Sequence, residues 1–329
     1  MSFFAVLFAL LIEQVKPLPR GNPVHDALTA WIGATSRNFD AGRESHAWVV
    51  WCITVLVPAL VCWGVYAGLT QVSSLLGLAF NVGVLYLTLG FRQFSHYFTD
   101  IRNALERTDE HEARRLLAEW RHLDASELPA SEFLRHVIEH SLLAAHRHVF
   151  GVFFWFVLLS TFGLGPAGAV LYRLAEFVSR YWAYRSGEGG IALNERLMAL
   201  SLRLFHVLDH VPARLTASGF AVVGNFEEAV NCWRRDAVLW KYDNEGVILA
   251  AAAGAVGVQL GGGSAPGLTP DRAKTFESGA PPLSADAEGS TPGVPPQLGH
   301  LRSVVGLVWR SVVLWMLLLA LLSLANLIG

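Results

Sequence analysis

Residues Trp48–Leu69 read WVVWCITVLVPALVCWGVYAGL and carry no charged side chain. At about 1.5 Å per residue, a helix of this length reaches about 33 Å, which matches a bilayer hydrocarbon core of about 30 Å. Tryptophan and tyrosine lie near both ends of the run, as they do where a helix meets lipid headgroups. The stretch therefore predicts a membrane-spanning helix.

Further apolar runs predict an all-α, polytopic integral membrane protein with about five transmembrane helices. Val72–Phe91 is uncharged and follows the first span directly, which indicates a tight hairpin. Val149–Tyr184 is interrupted by the glycine and proline residues of 163–168, so we expect two helices bent back on each other. Val304–Ile328 predicts a final span. Phe3–Ile12 is too short for a span, which favours a re-entrant or interfacial segment.

Basic residues lie on one side of the first hairpin, and the positive-inside rule makes that side cytoplasmic. They are Lys16, Arg20, Arg37 and Arg43 before the first span and Arg92, Arg102 and Arg107 after the second. Residues 92–148 are polar with a break at Leu128-Pro129, which predicts a cytoplasmic helical hairpin. Leu197–Leu208 and Leu215–Val223 are apolar but too short to span, so we expect them to pack against the membrane domain.

Composition supports the membrane assignment and excludes other classes. Charged residues make up 16% of the 329 residues, against about 25% in soluble proteins, and hydrophobic residues make up 53%. The net charge of −2 provides no basic surface, so we exclude nucleic acid as a partner and expect the lipid bilayer instead. Cys52 and Cys62 lie in an apolar run and Cys232 lies alone, which indicates neither a disulfide framework nor a zinc site.

A compositional break divides the chain near its C-terminus. Residues 261–299 are mainly glycine, proline, serine and alanine, and this composition predicts a disordered linker. The linker separates a membrane domain of residues 1–260, with its cytoplasmic insertion at 92–148, from a C-terminal transmembrane helix of residues 300–329.

Two histidine patterns suggest chemistry. His136-Val137-Ile138-Glu139-His140 has the H-x-x-E-H spacing of inverted zinc peptidases, but no further acidic ligand is apparent downstream. We therefore interpret it as a solvated or headgroup-facing surface. His206 and His210 form a second polar face with Asp209. Asp209 either pairs with Arg214 or has a ligand role, and the sequence leaves both open.

Residues 250–263 read AAAAGAVGVQLGGG and are the most unusual stretch. They lack the Lys-Ser/Thr of a P-loop and do not follow the G-x-G-x-x-G pattern behind a strand. The interpretation that we favour is a small-residue helix that packs closely against another helix. The alternative is that bare backbone N–H groups approach an anionic ligand at the membrane surface.

Ala253–Gly262, AGAVGVQLGG, resembles the AGALGVQLGG signature of the CobD/CbiB family of cobalamin-biosynthesis membrane proteins. Val211–Thr216, VPARLT, resembles their IPARLTA, and both occur in the family's order. Some stretches resemble the related AmpE family equally or more closely, among them Leu134-Arg135, Arg147, Phe154-Trp155, Gly165-Pro166 and His206-Val207-Leu208-Asp209. The resemblance covers most of the chain outside the linker and implies a multi-pass protein of the bacterial inner membrane.

The resemblance implies a synthase that attaches aminopropanol, or its phosphate, to cobyric acid and yields cobinamide, or its phosphate. Its ligand would be a corrinoid or an aminopropanol-derived small molecule. The implied ligand-binding residues are Arg147, Asp209, Arg214, Asn244, Gln259, Gly261 and Gly262. Catalytic residues and cofactors stay unassigned, and no metal ion is expected.

The chain departs from the family at three polar sites. It has Leu143–His148 where the family has an acidic motif resembling ENTSDG, Glu176 and Ser179 where it has Asn and Asp, and Tyr242-Asp243-Asn244 where it has Ser-Pro-Asn. Amide formation needs groups that hold charge and accept a proton, so these changes weaken a catalytic interpretation. The alternative is a non-enzymatic AmpE-like membrane protein associated with cell-wall turnover and β-lactamase regulation.

Overall fold

The computed structural model of the protein describes residues 2–15, 23–39, 44–121, 128–187, 195–262 and 290–328. Within them the regular secondary structure is helical, apart from two isolated backbone bridges. The α-helices in chain order are α1 (Ser2–Val15), α2 (Pro23–Phe39), α3 (Glu44–Trp51), α4 (Val57–Val72), α5 (Ser74–Thr88), α6 (Phe91–Glu106), α7 (Glu110–Arg121), α8 (Ala130–Ala145), α9 (Gly151–Thr161), α10 (Ala167–Gly187), α11 (Glu195–Val223), α12 (Phe226–Asp236), α13 (Asp243–Val256) and α14 (Leu298–Ile328). Short π-helical turns, Cys52–Leu56 and His146–Phe150, join α3 to α4 and α8 to α9.

Among the described residues, three helical stretches are long and apolar enough to cross a membrane: His46–Val72, Ala130–Thr161 and Leu298–Ala325. They confirm the predicted all-α membrane fold. The helices α1 and α5 are apolar but have only 14 and 15 residues. The predicted number of five crossings therefore stays a prediction.

Several helix boundaries differ from those expected. The middle stretch crosses the predicted end of the cytoplasmic insertion at residue 148, because α8 continues through the π-helical turn into α9. The insertion also turns between α6 and α7, where Thr108 adopts a positive φ of 61°. The two apolar stretches of 195–223 belong to one helix, α11, which contains Pro212.

The described chain divides into two compact units, and residues 1–90 and 147–208 form the first. In this unit α4 and α5 form a hairpin with only Ser73 between them, and its hydroxyl accepts a hydrogen bond from the Leu75 N–H at 3.2 Å. The predicted tight hairpin therefore turns at Ser73.

The hairpin of α9 and α10 bends in the predicted glycine and proline segment. Gly163 and Gly165 have φ values of 76° and 56°, in the left-handed region that side chains with a Cβ atom rarely adopt. A Cβ atom at Gly168 would lie 2.0 Å from the carbonyl oxygen of Trp155, so the two helices approach more closely than any other residue would permit.

The helix α11 continues through Pro212 although proline interrupts its hydrogen bonds. Pro212 has no N–H to donate to the carbonyl oxygen of Leu208, its partner one turn earlier. The indole N–H of Trp155 donates to that oxygen at 3.1 Å. Trp155 therefore replaces the backbone donor that Pro212 lacks.

The second unit consists of residues 91–146 and the chain from residue 209 onward, as far as it is described. α6 and α7 form an antiparallel hairpin in which the Tyr97 hydroxyl donates to Glu119 Oε1 at 3.0 Å. α13 packs against α12 and α8, and α14 packs against α8 and α13. This unit contains six of the seven predicted site residues.

Candidate functional site

The glycine-rich signature spans the end of α13 and residues 257–262, which we call the glycine segment. Gly257 adopts a left-handed conformation with φ of 75° and caps α13. Two backbone bridges then join the segment to the chain before α14, from Val258 to Val294 and from Gly261 to Ser290. The segment is thus paired with residues far along the chain.

These partners lie in the predicted linker, 261–299, of which residues 263–289 are outside the described residues. Thr291 is buried, and its hydroxyl accepts a hydrogen bond from the Leu260 N–H at 2.8 Å. The side-chain amide of Gln259 lies 3.5 Å from Ser290 Oγ. The described C-terminal end of the predicted linker is therefore a structural partner of the glycine segment.

Two charged side chains of α8 hold the other side of the glycine segment. Glu139 Oε1 accepts a hydrogen bond from the Gly261 N–H at 2.7 Å, and Arg135 donates to the Gly262 carbonyl oxygen and to Glu132. Arg135 and Glu139 are four residues apart, so they lie on one face of α8. Both side chains are buried.

The residues of the H-x-x-E-H pattern do not form a solvated surface. His136, Glu139 and His140 are all buried, and the His140 ring contacts the Trp120 ring edge-on at 4.4 Å between centroids. The prediction of an exposed histidine face is wrong, because helical spacing does not reveal that this face of α8 meets the glycine segment and α7.

The backbone N–H groups of the glycine segment already have acceptors within the protein. Those of Gly257 and Val258 donate to the Ala253 carbonyl oxygen, and those of the next three residues donate to Val294 O, Thr291 Oγ1 and Glu139 Oε1. Five consecutive N–H groups are thus occupied. The structure gives no support to the interpretation that these groups approach an anionic ligand.

The favoured interpretation of the small residues is confirmed. A Cβ atom at Gly254 would lie 2.3 Å from the carbonyl oxygen of Glu228, so α13 packs against α12 more closely than a residue with a side chain would permit. Cys232 lies on α12, where burial and then Asp236 raise the pKa of its thiol to about 11. This cysteine is an unreactive core residue.

Arg214 lies at the N-terminal end of α13. Its guanidinium donates to Asp243 Oδ2 at 2.7 Å, to Asn244 Oδ1 at 3.1 Å and to the His210 carbonyl oxygen at 3.0 Å. The side chains of Arg214 and Asp243 are 30% and 49% exposed. We call Arg214, Asp243 and Asn244 the Arg214 cluster; it presents a cation and an anion side by side at the surface.

Of the two alternatives that the sequence left open for Asp209, the structure does not show the pairing with Arg214. Asp209 is buried and bonds to His146, with 2.8 Å between Oδ1 and Nε2. The other ring nitrogen, Nδ1, lies 2.9 Å from the Thr216 hydroxyl. Asp209 and Arg214 are five residues apart, about 140° around a helix, so they face different neighbours.

The predicted site residues therefore do not form one cluster. α13 has 14 residues and is about 21 Å long, and it separates the Arg214 cluster from Gln259, Gly261 and Gly262 at its other end. Arg147 belongs to the first unit, where it is buried. Of the seven residues, Arg214 and Asn244 are joined by a hydrogen bond.

Buried charge also marks α10, at a position where the chain departs from the family pattern. Glu176 is fully buried, and its carboxylate oxygens lie 2.9 Å from Arg173 Nη1 and 2.6 Å from Arg180 Nη2. This acid is neutralised on its own helix. We therefore assign it a structural role.

The sequence interpretation did not single out Arg135, His146 or Asp243 as site residues. Glu139 was noticed only as part of a metal pattern. The available signal was the spacing of Arg135 and Glu139, two opposite charges four residues apart on one helix. Nothing in the sequence indicated that this face meets a segment 122 residues later.

Comparison with known proteins agrees with the family resemblance of the sequence. Residues 3–287 match the CobD/Cbib protein family. A protein of Stutzerimonas stutzeri named "Cobalamin biosynthesis protein CobD" is 32% identical over 321 residues, 96% of each chain. A protein of the same name from Chromobacterium violaceum is 35% identical over 193 residues, 58% of each chain. No solved structure matches the chain significantly.

The fold is that of an all-α membrane protein in which charged side chains form hydrogen bonds at both ends of one small-residue helix, α13. The match over most of the chain identifies its family. The protein belongs to the CobD/CbiB family of cobalamin-biosynthesis proteins.

Proposed function

We propose that this chain is a synthase that attaches aminopropanol, or its phosphate, to a carboxylate of cobyric acid and so forms cobinamide, or its phosphate. One observation carries the proposal: the two family signatures lie at the two ends of α13. Arg214 of the VPARLT stretch bonds to Asn244 at the start of the helix, and the glycine segment closes its end.

The chemistry of the Arg214 cluster suits such substrates. Aminopropanol carries an ammonium group, and its phosphate and the carboxylate of cobyric acid are anions. A guanidinium binds carboxylate or phosphate through charge-assisted hydrogen bonds, and a carboxylate binds ammonium in the same way. Arg214 would therefore hold the anionic groups and Asp243 the amine.

The proposal gives the glycine segment a supporting role. Because its N–H groups from Gly257 to Gly261 are occupied, we propose that Gln259, Gly261 and Gly262 shape the site by holding α8 and the chain before α14 in place. Arg147 stays a candidate for binding an anionic ligand. Asp209 acts through His146 and not by touching the ligand.

Growth of a deletion strain tests the proposal. The strain lacks this gene and is placed on a medium in which growth requires cobalamin. The medium contains either cobyric acid or cobinamide as the corrinoid source. The deletion strain should grow on cobyric acid only when it carries the wild-type gene. It should grow on cobinamide with or without that gene. Failure of membrane-inserted wild-type protein to restore growth on cobyric acid contradicts the proposal, and an AmpE-like regulator would give that result.

Variants then locate the site. Arg214→Ala should abolish growth on cobyric acid but not on cobinamide, because it removes the anion-binding guanidinium. Arg302→Ala is the matched control: Arg302 also pairs with an acid of the second unit, Glu106 at 2.9 Å, and its side chain is exposed. Equal growth of the two variants on cobyric acid would exclude the Arg214 cluster as the site.

A further inference from the structure

The connection between α12 and α13 exposes large apolar side chains. A short 3₁₀-helical turn, Ala237–Leu239, follows α12, and its residues Val238 and Leu239 are 75% and 53% exposed. Tyr242, the last residue before α13, is exposed as well. We call residues 237–242 the α12–α13 turn.

Packing determines which side chains of the α12–α13 turn are exposed. A 3₁₀-helix has about three residues per turn, so residues three apart share one side. Ala237 and Trp240 are both buried, which leaves the two residues between them on the outside. A Cβ atom at Gly246 would lie 2.4 Å from the Ala237 carbonyl oxygen, so α13 packs tightly against the buried side. The apolar side chains on the other side therefore stay at the surface of the described chain.

Basic side chains flank these apolar ones. Arg234 and Lys241 are exposed. The one acid of residues 233–242 is Asp236, which is buried and accepts two hydrogen bonds from the Arg235 guanidinium, at 2.8 and 3.0 Å. The surface of the turn thus combines apolar groups with positive charge. This combination complements a bilayer surface, where anionic headgroups cover the acyl chains.

The same part of the second unit lies beside a helix that is long and apolar enough to cross the membrane. A Cβ atom at Gly219 of α11 would lie 3.4 Å from Trp315 Nε1, and Trp315 belongs to the apolar stretch Leu298–Ala325. Arg214 precedes Gly219 by about 7.5 Å along α11. It bonds to Asp243, the residue that follows the α12–α13 turn. The turn is therefore within reach of the bilayer around α14.

We infer that the α12–α13 turn is an interfacial anchor that binds anionic phospholipid. Its exposed valine and leucine enter the outer part of the acyl-chain layer, and Arg234 and Lys241 bind the phosphate groups of the lipid headgroups. Tyr242 lies at the headgroup level, where amphipathic aromatic side chains are enriched. Because Asp243 follows directly, the anchor holds the Arg214 cluster at the membrane surface.

Photo-crosslinking of the purified full-length protein tests the inference. Val238 is replaced by p-benzoylphenylalanine, and the protein is reconstituted into vesicles of phosphatidylethanolamine and phosphatidylglycerol in equal amounts. After irradiation, intact-mass measurement identifies the adducts. We expect phospholipid adducts with phosphatidylglycerol enriched about fivefold over phosphatidylethanolamine, because the neighbouring basic side chains attract anionic headgroups. The same replacement at Leu239 should give the same adducts.

Two further proteins serve as controls. Glu110 is also exposed and belongs to the second unit, but it begins α7 in the polar hairpin with α6, so p-benzoylphenylalanine in its place should capture little lipid. The variant Arg234→Gln/Lys241→Gln, with the photoreactive residue again at position 238, should capture both lipids equally.

The inference is overturned if position 238 captures no more lipid than position 110, or if it captures a second copy of the chain instead of lipid. Equal capture of both lipids without the two glutamine substitutions overturns it as well, as does a preference for phosphatidylglycerol that survives them. The vesicles contain neither a corrinoid nor an amine substrate, so the outcome is independent of the proposed synthase activity.

Discussion

The two ends of α13 differ in how their polar groups are satisfied. At the C-terminal end, buried Glu139 and Thr291 accept hydrogen bonds from the glycine segment, and five consecutive N–H groups are occupied. At the N-terminal end, Arg214 and Asp243 form an ion pair that is partly exposed. One end is closed by the protein itself, and the other presents charges that a ligand can reach.

This difference changes the meaning of the family signature. A glycine-rich stretch suggests an anion site when its N–H groups are bare, but here side chains of α8 and the chain before α14 use them. The stretch is therefore informative about packing, whereas we propose that the Arg214 cluster, at the other end of α13, binds the ligand. Variants at the closed end should change stability, and variants at the open end should change function.

The largest expected effect is at Glu139. Glu139→Ala removes the acceptor of the Gly261 N–H and leaves a buried donor without a partner, so the free energy of unfolding should fall by about 3 kcal/mol. Thermal unfolding in detergent measures the change. Glu139→Gln keeps an acceptor oxygen and should recover most of the stability; an equal loss in both variants would show that the hydrogen bond to Gly261 is not the cause.

Sequence alone predicted the features that depend on local pattern. Long apolar runs identified the first and last membrane stretches, and the glycine and proline cluster identified the bend between α9 and α10. The sequence also favoured close packing of the small residues of α13, and the contact at Gly254 confirms this interpretation. These features depend on residues that are neighbours along the chain.

The polar contacts were not predictable in the same way. The His146 and Asp209 side chains are 63 residues apart, and those of Arg214 and Asp243 are 29 apart. Pairing over such distances depends on how helices pack, which hydrophobic periodicity does not specify. A pairing of Asp209 with Arg214 was one of two alternatives that their closeness in sequence allowed, but α11 turns them toward different neighbours.

The second prediction concerns the chain before α14. Thr291→Val removes the acceptor of the buried Leu260 N–H and should lower the free energy of unfolding by about 2 kcal/mol. Deleting 265–288 from the predicted linker should change it by less than about 1 kcal/mol, because the length of a disordered segment contributes only weakly to closure entropy. Thermal unfolding of Thr291→Val and of this deletion is compared with that of a deletion extended through Pro292. The longer deletion should lower the free energy of unfolding as much as Thr291→Val does.

The third prediction concerns α11 near the open end. Trp155→Phe removes the donor to the Leu208 carbonyl oxygen and also shortens the side chain. In Pro212→Ala the backbone N–H is restored, so the Trp155 donor becomes redundant. A double-mutant cycle by thermal unfolding should give a coupling energy of about 1 kcal/mol between the two sites. A coupling energy near zero would mean that the indole does not replace the missing backbone donor.

The smallest change in stability is expected at Arg214. If Arg214 neutralised a buried acid, its loss would cost roughly 3 to 5 kcal/mol, but its acidic partner Asp243 is 49% exposed and a pair of this kind contributes about 1 kcal/mol or less. Arg214→Ala should therefore unfold at nearly the wild-type temperature in detergent while failing to support growth on cobyric acid. Asp243→Asn removes the partly exposed acidic partner of Arg214 and should also keep the protein stable. Because we propose that Asp243 holds the amine, this variant should impair growth on cobyric acid. Large destabilisation in Arg214→Ala would show that the N-terminal end of α13 is as closed as the C-terminal end, and the functional distinction between the two ends would fail.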